Sequence, residues 1–271
     1  MQAGPSSTVR RRVQRWQLFR RSRQSIDELA VEEPLEIQID TRPVVVTMRT
    51  PGHDDELAAG FLLSEGIVRH QQDIIRLGPH PRHRLGNVLQ VFVSPDISVD
   101  FLRAGRATYA TSSCGLCGKT SIAAIHQRFR KVTARFTVPA KGLKRAVDGL
   151  RQAQETFSRT GGLHAAAICH PNGELVVVRE DIGRHNAVDK VVGHGLLQGL
   201  LPFDRHFLLV SGRASFEILQ KALAARIAVV AAVSAPSSLA VEFAVRSGIT
   251  LVGFLRDDRM NVYSHGTRLR E

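Results

Sequence analysis

The chain has 271 residues, 43% hydrophobic and 23% charged, enough to bury one large core or two of ordinary size without disulfide staples. No apolar run reaches the length of a membrane span and no secretory signal is visible, so a cytoplasmic protein with free thiols at its three cysteines and no membrane partner is expected. The formal charge of +12 invites nucleic acid, but no recognised nucleic-acid module is present and aromatic residues are only 6%, which argues against that partner.

The charge is uneven along the chain. Arg10, Arg11, Arg12, Arg15, Arg20, Arg21 and Arg23 all precede the first acid, Asp27, in a segment that opens with Gly4, Pro5, Ser6, Ser7 and Thr8. Such a block reads as a disordered, solvated basic arm over residues 1–24, able to adhere to acidic partners. Residues 35–39 then alternate apolar and polar side chains, residues 44–48 are strand-like, and Asp40, Thr41, Arg42 and Pro43 form the turn of a hairpin. Acidic first-turn residues follow Pro51 and Gly52, and Leu57, Ala58, Phe61 and Leu62 make a helical stripe that stops at Gly66. Residues 78–84 read as a loop in which His80 and His83 are solvated, and residues 88–93 return to strand.

The next feature carries chemistry. Cys114 and Cys117 lie in Thr-Ser-Ser-Cys-Gly-Leu-Cys-Gly-Lys-Thr, where a glycine-punctuated loop turns toward a helix marked by Ile122, Ile125 and Phe129. A thiol there meets unpaired backbone N–H groups, the positive end of the helix dipole and Lys119, all of which favour thiolate. Structural zinc takes four ligands in two short-spaced pairs, and the second pair is missing: Cys169 and His170 are neighbours in a strand-like run and point to opposite faces. A thioredoxin-like dithiol sits at the end of a strand, whereas residues 101–109 carry two arginines and no alternation. Two buried, inert thiols are the remaining alternative, and the flanking glycines favour an exposed loop. A nucleophilic thiolate that carries sulfur or forms a covalent intermediate fits the residues better than any of these.

In the second half, apolar runs alternate with helical stripes, the pattern of a parallel sheet covered on both faces. Strands are expected at residues 175–178, 207–210, 227–233 and 249–254, with helices after residue 186 (closed by Gly193), at residues 216–223 and at residues 239–245. Turns after successive parallel strands emerge on one sheet edge, where ligands bind. They supply Ser211, Gly212 and Arg213, then Ser234, Pro236, Ser237 and Ser238, then Leu255, Arg256, Asp257, Asp258 and Arg259. Helix N-termini, three arginines and several hydroxyls suit a phosphate-bearing ligand. His185, among Glu180, Asp181, Arg184 and Asn186 at a strand end, is a stronger acid/base or ligand-binding candidate than His164. Gly118-Lys119-Thr120 lacks the leading glycine of a P-loop, and the His164-Ala165-Ala166 echo of zinc deaminases lacks the catalytic glutamate.

Taken in order, residues 32–35, 50–54 through Gly66, 113–118, 160–166, 179–190, 211–216, 234–242 and 253–259 resemble the formate dehydrogenase accessory sulfurtransferase family. The resemblance implies an α/β protein: a cytidine deaminase-like three-layer domain with a mainly parallel sheet over residues 141–271, and a smaller α+β N-terminal domain over residues 25–140 that ends in the CxxC loop and its helix. It also implies a cytoplasmic homodimer that accepts sulfur from a cysteine desulfurase as a persulfide and delivers it to the bis(molybdopterin guanine dinucleotide) molybdenum cofactor, activating formate dehydrogenase. By the motif match Cys114 carries the persulfide, Cys117 assists, and Phe254, Leu255, Arg256, Asp257, Asp258 and Arg259 bind the cofactor, with guanine nucleotides as mimics. No resident metal is implied. A non-catalytic cofactor chaperone, or a zinc or redox protein, is the alternative.

Overall fold

The computed structural model describes residues 6–18, 20–81, 83, 86–99, 129–256 and 258–271. Its first element corrects the reading of an unstructured arm. Strands β1 (Thr8–Gln17) and β2 (Arg20–Ala30) pair antiparallel from Thr8↔Ala30 to Gln17↔Arg20. Arg10 stands opposite Glu28 and Arg11 opposite Asp27, so the early arginine block and the acids that follow it face each other across the ribbon.

The alternation at residues 35–39 becomes strand β3 (Glu33–Ile39), whose Leu35, Ile37 and Ile39 are fully buried, paired antiparallel with β4 (Arg42–Arg49). Helix α1 (Asp54–Ser64) follows, its three leading acids complementing the positive end of its dipole. Strands β5 (Ile74–Pro79) and β6 (Val88–Val93) complete a four-stranded sheet in the order β4-β3-β6-β5, with β6 parallel to β3.

After β7 (Val138–Pro139) come helices α2 (Ala140–Ala153) and α3 (Glu155–Thr160), strands β8 (His164–Cys169) and β9 (Leu175–Asp181), and helix α4 (Arg184–Leu197). Strand β10 (Phe207–Val210), α5 (Phe216–Ala224), β11 (Val229–Ala232), α6 (Ser238–Ser247), β12 (Thr250–Arg256), β13 (Arg259–Ser264) and β14 (Leu269–Arg270) finish the chain. The main sheet runs β13-β12-β11-β10-β8-β9. Only β10, β11 and β12 are mutually parallel; β8, β9 and β13 are antiparallel to their neighbours, so the mainly parallel sheet is corrected to a mixed one. An apolar run is the same signal in either direction, and β9 returns from β8 through a short turn instead of a crossover.

Alternate residues of this sheet face opposite cores. Ala165, Ala167 and Cys169 pack with Leu143 and Val147 of α2, whereas Ala166 and Ile168 join α4, α5 and α6 in a cluster that continues through α1 to Leu35 and Ile37 of the smaller sheet. The two halves therefore share a core. Helix α4 does not close at Gly193. A Cβ there would stand 1.8 Å from the Glu56 carbonyl oxygen, and one on Gly60 would stand 1.9 Å from that of Asp189, so both glycines permit α1 and α4 to cross backbone to backbone.

Candidate functional site

The ends of the three parallel strands meet at one edge of the main sheet. Ala214 N donates to Ala235 O at 3.2 Å and Ser237 N to Ala214 O at 3.0 Å, joining the turn after β10 to the turn after β11. Phe254 N donates to Ser234 O at 3.1 Å and Arg256 Nε to Val233 O at 3.0 Å, joining β12 to the same turn. The other side of the edge is tied through Ser211, whose N donates to Ala165 O and whose Oγ accepts from Ala165 N, both at 2.9 Å. A Cβ on Gly212 would lie 3.2 Å from His164 Nδ1 and 3.7 Å from Arg184 Cβ, so the bare glycine lets the start of β8 and the start of α4 close on this turn. Ser211, Gly212, Arg213, Ser234, Phe254 and Arg256 thus share an edge with His164, Arg184 and His185.

Two arginine charges crowd together at that edge, with the Glu217 carboxylate behind them. Burial and then the neighbouring Arg213 guanidinium push the Arg184 pKa down, and burial followed by Arg184 and Arg213 does the same to His164. Arg184 Nε is buried with no hydrogen-bond partner among the described residues. Two arginines that repel each other, one with an orphaned donor, form a place for an anion.

His185 sits behind them. Its Nε2 is 2.9 Å from Ser215 Oγ and its Nδ1 is 3.4 Å from Glu217 Oε2. Burial lowers its pKa to about 4, Lys221, Arg184 and His164 adding to the effect against Glu217, so the ring is neutral at pH 7. With its Nδ1 proton turned toward the Glu217 carboxylate, the ring leaves Nε2 to accept from the Ser215 hydroxyl. Ser215 is the N-cap of α5 but makes no capping hydrogen bond. The chain of contacts continues inward: Glu217 to Lys221 at 3.4 Å, Lys221 to Asp189 at 2.8 Å, and Ser64 Oγ, which donates to Asp189 at 3.0 Å. Among these, Arg184, Ser215, Glu217, Lys221 and Asp189 were not singled out as site residues from the sequence. The i,i+4 spacing of Glu217 and Lys221 was the available signal.

The remaining candidates are dispersed. Leu255 is 5% exposed and belongs to the core against α2, so only its backbone faces the edge. Arg259 is exposed on β13, opposite Arg256. Asp258 accepts from Lys144 Nζ of α2 at 2.7 Å, which holds its carboxyl below the usual range. Cys114, Cys117 and Asp257 lie outside the described residues. Cys169 is buried in β8, and burial pushes its thiol far up, so it is not a nucleophile.

One strand further along, a 310 Å³ cavity lies where Ser7, Thr50, Gly52, His53, Arg179 and Lys190 converge. Its charges are paired: Arg179 with Glu56, which also meets His194 at 2.9 Å, and Lys190 with Asp181 at 2.7 Å.

Fold and edge define a mixed α/β protein that gathers arginines and hydroxyls at the ends of its parallel strands. The chain matches the FdhD/NarQ family over residues 30–270 and belongs to it. It is 53% identical over 253 residues to a protein of Mycobacterium tuberculosis named sulfur carrier protein FdhD, covering 90% of this chain and 92% of that one. The protein of the same name from Streptomyces coelicolor is 50% identical over 251 residues, covering 90% and 89%. A crystal structure of a formate dehydrogenase accessory protein from Desulfotalea psychrophila superposes with a TM-score of 0.81 at 23% identity, covering 98% of this chain and 100% of that one, and shows the shared fold. No helix among the described residues is long and apolar enough to cross a membrane.

Proposed function

We propose that this chain is a cytoplasmic, homodimeric sulfurtransferase: it receives sulfur from a cysteine desulfurase as a persulfide on Cys114 and delivers it to the bis(molybdopterin guanine dinucleotide) molybdenum cofactor of formate dehydrogenase. In the loading step the Cys114 thiolate attacks the terminal sulfur of the donor's persulfide, a new S–S bond forms, and the donor cysteine leaves as thiolate. Cys117 is the helper on the same loop. The cofactor is cargo, held at the sheet edge. Arg184 and Arg213 take phosphate oxygens, Ser215 presents its hydroxyl at the start of α5, and Phe254 and Arg256 border the base or ribose.

The observation that carries this reading is the facing pair Arg184 and Arg213, with an orphaned guanidinium donor, in a member of a family whose curated relatives are named sulfur carriers. Mass spectrometry after incubation with a cysteine desulfurase and cysteine tests the loading step. The wild-type chain gains one sulfur, Cys114→Ala gains none and fails to activate formate dehydrogenase, and Cys117→Ala is impaired less. Full activation by Cys114→Ala would remove the carrier mechanism and leave a cofactor-binding chaperone. Calorimetry with guanosine against adenosine diphosphate tests the cargo site, with tighter binding of the guanine form expected.

A further inference from the structure

The ribbon of β1 and β2 precedes nearly all of the family-matched residues 30–270 and has no part in the reading above. A lone two-stranded ribbon is marginal in water. This one nevertheless exposes Trp16, Leu18 and Ile26 at 72%, 89% and 67%. Arg10, Arg11, Arg12 and Arg23 surround them, exposed and without an ion pair among the described residues, while Arg15 reaches Asp27 at 3.6 Å. Arg10 and Arg12 share a face with Ile26, and Arg11, Arg15 and Arg23 share the other.

The ribbon is rooted beside the cationic sheet edge. Val31 N donates to Ser7 O at 2.9 Å, Arg159 of α3 donates to Thr8 Oγ1 at 3.4 Å and pairs with Glu28 at 3.3 Å. Ala30 Cβ lies 3.3 Å from where a Cβ on Gly162 would stand, and Gly162 is two residues from His164 of the site. A protein that approaches the site to exchange cargo therefore meets the ribbon.

We propose that the ribbon is a docking arm for an acidic protein surface with an apolar centre, and that the partner is the cofactor-free formate dehydrogenase. This rests on the function proposed above. Arginine and tryptophan are the side chains that most often anchor protein interfaces, and Leu18 and Ile26 add apolar area that a phosphate backbone would not use. The acceptor is the partner chosen because the root adjoins the cargo site, from which the cofactor is handed over.

The test is biolayer interferometry between the full-length chain and purified cofactor-free formate dehydrogenase of the same organism, with salt raised from about 50 to 300 mM. Wild-type binding should weaken with salt. The variant Arg10→Gln/Arg11→Gln/Arg12→Gln/Arg23→Gln should bind about tenfold or more weakly at low salt with a flatter salt dependence, and Trp16→Ala should lose affinity with the salt dependence unchanged. Both variants should keep persulfide loading and guanosine diphosphate binding, and with them the functional reading. Undiminished affinity in both variants, or no binding by the wild-type chain while its Cys114 still loads, overturns the docking arm alone. Equally tight binding of a short DNA duplex, insensitive to Trp16→Ala, would assign the ribbon to nucleic acid and overturn the proposal as well.

Discussion

Around helix α4, Lys190 meets Asp181 at 2.7 Å, Lys221 meets Asp189 at 2.8 Å and Arg179 holds Glu56 with two of its nitrogens. At the N-terminal end of the same helix, Arg184 faces Arg213 and neither forms an ion pair among the described residues. The first set is paired, with Lys190 and Lys221 almost wholly buried, and the second opens to the solvent edge. Burying an ion costs several kcal/mol unless a partner is supplied, so the interior cations come with carboxylates. At the edge no ion pair closes on either arginine among the described residues, and Glu217 offsets their field only in part, which leaves positive field for a ligand. Pairing thus separates charges that hold the molecule together from charges that hold something else.

The largest expected effect breaks the interior set. Lys221→Met strands the Asp189 carboxyl, whose pKa burial already raises to about 6, and removes the partner of Glu217. Unfolding by urea should show a loss of about 3–5 kcal/mol, limited by proton uptake at Asp189. An edge variant tests the converse. Arg184→Ala or Arg213→Ala should leave the unfolding midpoint unchanged or slightly raised, because mutual repulsion is relieved. Either should weaken guanosine diphosphate binding by about 1.5–3 kcal/mol, tenfold or more, through loss of a charge-assisted hydrogen bond. Calorimetry and urea titration on the same variants read both quantities. A stability loss for Arg184→Ala as large as that of Lys221→Met would erase the distinction between the two sets.

Much of this architecture is legible in the sequence, and the parts that are not share a physical cause. Strands β3, β4, β10, β11 and β12 and helices α5 and α6 follow from alternation, apolar runs and turn chemistry, all local signals. The ribbon escapes because a run of arginines resembles a solvated tail until Asp27 and Glu28 are placed opposite it, a pairing across many residues. Gly193 reads as a helix stop because the same residue serves chain reversal and close approach, and only the presence of α1 decides between them. At the edge, the three turns could be brought together by sheet geometry alone. The nearness of Arg184 to Arg213 and the contacts of His185 with Ser215 and Glu217 depend on how α4 is set against α5 and the turn before it, which no spacing encodes. Cys114 and Cys117 are the reverse case: their chemistry is read from local sequence and lies outside the described residues.

The smallest effect is a difference in pH response between one group from each set. His185, at the edge, has its pKa lowered by burial to about 4, so between pH 6.5 and 4 the unfolded chain takes up a proton that the folded chain refuses. Stability from this residue is complete at neutral pH and falls on acidification, by about 2 kcal/mol from pH 7 to pH 5. Asp189, in the interior, has its pKa raised by burial to about 6, so the folded chain protonates first and acidification over the same range stabilises by about 1 kcal/mol. The two oppose each other, which makes the wild-type response shallow and the single variants informative. Urea midpoints at pH 7 and pH 5 should fall less on acidification in His185→Gln than in the wild type, and more in Asp189→Asn. Movement of both variants in the same direction would show that the two groups do not titrate from opposite sides, and would leave the separation of edge from interior resting on the arginine and lysine variants.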